Sequence, residues 1–415
     1  MKGLKRYIEK IKPNFEEGGK YRKFQGVFES FETFLFVEGK TPSTRGAHIR
    51  DAMDSKRLMS VVVIALIPAL LFGMWNVGHQ YFLSQAQDVA FLQEFWHGFI
   101  RVIPIVLVSY IAGLGTEFIF VYLKNKEIEE GFLVSGMLIP LIVPVDIPLW
   151  MVALATIFAV IIGKEVFGGT GMNIVNPALL ARAFLFFAYP SKMSGDKVWI
   201  DNLESGEGVA DSFSGATPLA DMASTVDLSS NIEKVQAAGD ATMADALTQK
   251  LDAVINGIPS FWDAFLGVIP GSIGETSVLM ILLGAAFLIY TGVGSWRIIL
   301  SVFAGGALMG GIMNLFAVNP YMEMPFYYHL VVGGFAFGAV FMATDPVTAA
   351  QTNRGKWIYG LLIGMLAVVV RVLNPAYPEG MMLAILLMNV FAPLVDHYII
   401  QANIKMRAKR AVAQK

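Results

Sequence analysis

From Leu58 to Ile399 the sequence repeatedly runs for about 20 residues with hardly a charge. A helix needs about 20 apolar residues to cross a bilayer. Six runs meet that length: 58–77, 102–123, 276–294, 298–318, 357–373 and 380–399. Four shorter ones lie at 132–145, 148–163, 177–190 and 329–343, each bounded by Pro, Gly or a charge. Only 15% of the 415 residues are charged, against about 25% in soluble globular chains. The expectation is an all-α integral membrane protein with about ten transmembrane helices, several of them short or broken.

The short runs fall at matching places in two halves. Gly131-Phe132, Pro144 and Asn176-Pro177-Ala178 reappear as Gly334-Phe335, Pro346 and Asn374-Pro375-Ala376, at offsets of 203, 202 and 198 residues. Five spans per half is an odd number, so the second half runs inverted, a plan common among transporters. The expected organisation is an arm over 1–57, a five-helix repeat over 58–190, a polar segment over 191–275, a second repeat over 276–400 and a basic tail over 401–415. Short-loop Lys/Arg place both termini in the cytoplasm. The arm holds 13 of them, and Lys124, Lys126, Lys164, Arg297, Arg354 and Lys356 fall on the same side. The segment 191–275 then lies outside, in the periplasm of a bacterium. In the arm, Tyr21, Phe24, Phe28, Phe31 and Leu35 recur at helical spacing, the pattern of an interfacial or partner-docking helix.

Several chemistries are excluded. With no cysteine there are no thiolate ligands for an Fe–S cluster, no Cys nucleophile and no disulfide. The five His show no metal-ligand spacing, so no metal site is expected. No dinucleotide fingerprint or P-loop is present, and Gly168, Gly169 and Gly171 read as a tight turn rather than a phosphate cradle. A net charge of −2 gives no ground for nucleic-acid binding. Glu117, Asp345 and Asp396 lie within or beside spans, where a carboxylate is costly and by default functional. The alternative for each is a cap, or an ion pair with Arg182 or Arg371.

One exposed stretch, Asp211-Ser212-Phe213-Ser214-Gly215-Ala216-Thr217-Pro218, reads on its own as an ordinary loop. Its Asp-x-x-Ser-Gly-Ala-Thr pattern is similar to a flavin-attachment motif. Lys164-Glu165-Val166-Phe167-Gly168-Gly169-Thr170-Gly171 with Asn176-Pro177-Ala178, Pro270–Glu275, Met342–Pro346 and Asn374–Met382 extend the likeness over essentially the whole chain. The chain resembles the family formed by the B subunits of Na⁺-translocating NADH:quinone oxidoreductases and the D subunits of Rnf ferredoxin:NAD oxidoreductase complexes. The long arm with Pro13–Lys20 is similar to the former.

The resemblance implies FMN joined through its phosphate to the Thr217 hydroxyl. A separate flavin transferase would make that bond, recognising Asp211, Ser214, Gly215 and Ala216. It also implies a non-covalent riboflavin, ubiquinone as electron acceptor near Gly113 and Glu117, and Na⁺ movement over Glu117, Asp345 and Asp396. The setting would be the bacterial inner membrane, with other subunits oxidising NADH and this chain inactive alone. Two alternatives stay open: an Rnf-type D subunit without quinone reduction, and a colourless channel or secondary transporter of similar plan.

Overall fold

The computed structural model describes Ile8, Lys10–Phe15, Phe28, 55–124, 131–194, 197–203, Gly206, Val209, 215–374 and 379–413. Among these every regular element is helical. The first half holds α1 (Ser55–Ser84), α2 (Phe91–Lys124), α3 (Phe132–Leu141), α4 (Leu149–Gly163) and α5 (Pro177–Ala188). The connecting segment carries α6 (Pro218–Ala237) and α7 (Ala241–Asn256), packed together as a hairpin. The second half holds α8 (Val278–Tyr290), α9 (Trp296–Leu315), the short pieces Tyr328–Val331, Phe335–Phe337 and Gly338–Met342, then α10 (Asn353–Leu373) and α11 (Met381–Ala413). The expected arm helix lies outside the described residues except for Phe28, whose ring stacks on Phe15 at 4.4 Å.

Among the described residues six helices are long and apolar enough to cross a membrane. Their outward faces carry exposed apolar side chains such as Ile64, Leu71, Ile111, Leu308 and Leu394. Closed backbone hydrogen bonding and an apolar exterior are what lipid demands of a spanning chain. Pro68, Pro104 and Pro393 sit inside α1, α2 and α11, as membrane helices tolerate.

The two halves repeat one packing plan. In the first, α4 lies between α2 and α5; in the second, α10 lies between α9 and α11. The repeated Gly-Phe pairs explain the match at atomic level. Gly131 and Gly334 each stand immediately before a short helix. The Phe132 ring covers Gly113 of α2, and the Phe335 ring covers Gly306 of α9. Both rings are buried. A side chain at Gly113 or Gly306 would occupy the space of the ring. Close approach of α9 and α10 depends likewise on Gly364, whose missing Cβ makes room for the Val302 carbonyl.

The halves meet through α1 with α8 and α5 with α11. Gly284 of α8 abuts the Ala65 carbonyl, and Gly73, further along α1, abuts Ile273 just before α8 begins. The two helices are therefore antiparallel, as an inverted repeat requires.

One length differs from the sequence expectation, and one expected break has a visible cause. The run 276–294 yields only 13 helical residues, because Ser277 caps the start and Gly292, at φ +75°, breaks the chain after Tyr290. The run 329–343 divides into three pieces, since Gly333 at φ +66° interrupts it and its last turn, Gly338–Met342, is a π-helix.

Candidate functional site

Two cavities lie at opposite ends of the α1–α8 pair. The first is walled by Trp199, Thr217, Leu219, Ser272, Glu275, Thr276, Gly333 and Glu379. Thr217 is the N-cap of α6, extended at φ −75° and ψ 154°, and its Oγ1 accepts the Ala220 N–H at 3.2 Å. Pro218 fills the first helical position, where a missing N–H costs nothing. Thr217 is half-buried; Gly215 and Ala216 are buried, and Asp211 and Ser214 lie outside the described residues.

A buried charge cluster forms one side of this cavity. Arg182 of α5 donates through Nη1 to both Glu275 oxygens at 2.9 and 3.0 Å and through Nη2 to Glu379. The Arg182 and Glu275 side chains are each 3% exposed. One guanidinium thus ties α5 to the segment before α8 and to the turn before α11. Arg371 of α10 is buried one layer behind, donating to the His329 carbonyl at 2.8 Å and the Glu379 carbonyl at 3.3 Å. Tyr321, on the short helix Pro320–Glu323 outside the spans, is buried close by. Burial holds its phenol above the ordinary tyrosine range, and the Arg371 charge pulls it the other way.

The residues fit a tethered phosphate. At the start of the 20-residue α6 the Leu219 N–H is the amide donor left for an anion, Pro218 having none and Ala220 donating to Thr217 itself. The Thr276 hydroxyl, buried in the wall, has no hydrogen-bond partner among the described residues. It is available to a polar group entering the cavity.

The second cavity is the larger. Gly131, Ser135, Lys164, Thr170, Asn173 and Asn176 line it from the first half, with Phe341, Thr344 and Asp345 from the second and Leu58, Met59 and Leu288 along its side. Asp345 accepts from Val347 N at 3.1 Å, Thr348 Oγ1 at 3.0 Å and Asn176 Nδ2 at 3.4 Å. Lys164 pairs with Glu117, both buried. Glu117 and Asp345, 228 residues apart in sequence, thereby flank one cavity through Lys164. The Thr170 hydroxyl is buried without a partner among the described residues. Convergent amide, hydroxyl and carboxylate groups in a largely apolar cleft suit a planar heterocycle.

The remaining sequence candidates stand elsewhere. Gly113 lies one turn before Glu117 and is covered by Phe132. Asp396 of α11 caps α10, accepting from Gln351 N at 2.6 Å, Thr352 N at 3.1 Å and Thr352 Oγ1 at 2.5 Å. The two arginines weighed as partners for these acids serve other groups: Arg182 holds Glu275 and Glu379, Arg371 holds backbone carbonyls, and Lys164 takes Glu117. The Arg182–Glu275–Glu379 cluster was not a sequence expectation, although Glu275 and Glu379 lie within two of the family-like motifs. Among the described residues no group of three metal-ligating side chains occurs.

Comparison with known proteins gives a consistent picture. Residues 43–405 match the model of the NQR2, RnfD, RnfE family. The chain is 45% identical to the B subunit of the Na(+)-translocating NADH-quinone reductase of Stutzerimonas stutzeri (strain A1501), covering 99% of this chain and 100% of that protein. It is 45% identical to the protein of the same name from Klebsiella pneumoniae (strain 342), over 98% and 100%. The Pseudomonas aeruginosa PAO1 protein of that name is 43% identical, over 98% and 99%.

Proposed function

Because the chain belongs to the NQR2, RnfD, RnfE family, we propose that it is the B subunit of a Na⁺-translocating NADH:ubiquinone oxidoreductase. It carries FMN as a phosphoester on Thr217 and takes part in passing electrons toward ubiquinone, coupled to Na⁺ movement. The observation that carries this reading is full-length similarity to proteins of that name, joined to a Thr217 that caps a helix at the mouth of a cavity. The bound flavin supplies the electron chemistry. The protein supplies position, the tether and the electrostatic setting.

In this reading Thr217 is an anchor that keeps the cofactor from leaving, and Pro218 holds it extended where the transferase reaches it. Asp211, Ser214, Gly215 and Ala216 are the recognition residues. Lys/Arg asymmetry places the Thr217 cavity on the periplasmic side of the inner membrane and both termini in the cytoplasm. The Asp345 cavity then opens toward the cytoplasm. Thr170 and Asn173 there are the residues suited to hold the second, non-covalent flavin, a riboflavin; the Asn176 amide is taken up in capping α5 and in holding Asp345. Glu117 and Asp345 flank that cavity and Asp396 lies at the start of α10; these three are the carboxylates for Na⁺. The quinone is assigned to the neighbourhood of Gly113 and Glu117.

The energetics permit the coupling. Moving one Na⁺ against roughly 150 mV costs about 3.5 kcal/mol. Two electrons falling through about 75 mV release that amount. The partners are the other subunits of the complex, the flavin transferase, ubiquinone and lipid.

The test is flavin retention on denaturation. The chain, produced in a host with the transferase, gives a fluorescent band on a denaturing gel, and Thr217→Leu abolishes it. A dark wild-type band with the transferase demonstrably active overturns the flavin reading and favours a channel.

A further inference from the structure

We infer that Lys164 is a built-in competitor of Na⁺: its ammonium occupies Glu117 until an incoming Na⁺ displaces it toward Asp345; this rests on the assignment of Glu117 to Na⁺ above. Lys164 closes the C-terminal end of α4, and Glu117 belongs to α2. Their side chains are paired at 6% and 3% exposure. Among the described residues Lys164 lines the Asp345 cavity and Glu117 does not. The ammonium therefore stands between the cavity and the carboxylate behind it. The adjoining acid, Glu165, is held by Lys124 of α2 at 3.1 Å instead.

Of the described residues that wall the cavity, only Lys164 and Asp345 carry a charge. Asp345 accepts from neutral donors there: Val347 N, Thr348 Oγ1 and the Asn176 amide. One ammonium serving two ionised carboxylates leaves room, in charge, for one monovalent cation.

A buried carboxylate stripped of its cation is costly. Glu117 therefore exchanges one cation for another and is never left bare. The ammonium and Na⁺ carry the same charge, and both take carboxylate oxygen. Lysine holds its charge at the end of a flexible four-carbon stem, which suits it to swing between neighbouring acids. With the ammonium at Asp345, neither carboxylate is orphaned while Na⁺ is bound. The returning ammonium expels the ion in the same way. Na⁺ meets a carboxylate that is already occupied, so its apparent affinity falls by the fraction of Glu117 that is free to take it. Weak binding of this kind is what lets a transported ion leave.

The experiment uses the assembled complex, with turnover measured against Na⁺ concentration. Lys164→Gln keeps a hydrogen-bond donor and loses the charge. It lowers the half-saturating Na⁺ concentration by about tenfold or more, whatever happens to the maximal rate. A purely structural role reduces the maximal rate or the yield and leaves Na⁺ binding no tighter. Glu117→Gln, run alongside, raises the half-saturating concentration. If it does so and Lys164→Gln lowers nothing, the inference is overturned with the Na⁺ reading intact. If Glu117→Gln leaves the Na⁺ dependence unchanged, the assignment of Glu117 to Na⁺ itself fails, a separate outcome. Should Lys164→Gln not assemble, the wild type decides. Replacing choline by Na⁺ at equal ionic strength raises acetylation of Lys164 by an amine-reactive reagent, read by peptide mass spectrometry. Labelling no greater in Na⁺ than in choline overturns the displacement.

Discussion

Replacing Arg182 with Met removes the cation that two carboxylates share. Glu275 is then left at 3% exposure with its two hydrogen bonds of 2.9 and 3.0 Å gone. Breaking a buried ion pair from one side costs about 3–5 kcal/mol, because the orphaned charge stays out of water. Glu379, at 19% exposure, is partly solvated and adds less. For a chain of this size the loss corresponds to a fall of roughly 4–6 °C in melting midpoint. The double variant Arg182→Met/Glu275→Gln removes one charge of each sign and leaves Glu379 beside Arg371. Most of the loss, all but about 1–2 kcal/mol, then returns. The assay is thermal melting of the purified complex, followed as a double-mutant cycle. If the double variant melts as low as the single one, charge balance is not what the cluster supplies. A single variant melting with the wild type refutes the argument altogether.

Asp396→Ala deletes three hydrogen bonds at the start of α10 and is expected to destabilise by about 1–2 kcal/mol, with Asp396→Asn in between, since its one oxygen keeps the Thr352 bonds while its NH₂ opposes the Gln351 N–H. Melting tests the cap, and Na⁺ dependence of turnover in Asp396→Asn separates it from an ion role. Thr170→Val is expected to weaken retention of the non-covalent flavin while leaving the fluorescent gel band unchanged; quantifying flavin in the acid-soluble and protein-bound fractions checks this.

The membrane plan was legible because its cause is local. Lipid requires unbroken apolar runs, and the Gly-Phe pairs survive as readable landmarks because each must seat a ring on a helix. The limits of α8 were also local, yet Ser277 and Gly292 lie within a run whose composition stays apolar, so hydropathy overran both ends. Thr217 stood out only through its motif, since its chemistry has no periodic signature. The partner of Glu117 did not follow from the sequence. Lys164 is 47 residues away on another part of the repeat, and Arg182 and Arg371 were equally plausible cations. Arg182 meets Glu275 and Glu379 across 93 and 197 residues, pairings created by the docking of one repeat on the other.

The shortness of α8 bears on how voltage acts on this protein. Its 13 residues connect the neighbourhoods of the two cavities across roughly 20 Å. The surrounding hydrocarbon is about 30 Å thick. Wherever water fills both clefts, the membrane potential falls across the shorter distance, and the field there is about one and a half times steeper than in the adjacent lipid. A charge travelling between the clefts does the full electrical work of crossing the bilayer while moving only about two-thirds of its width.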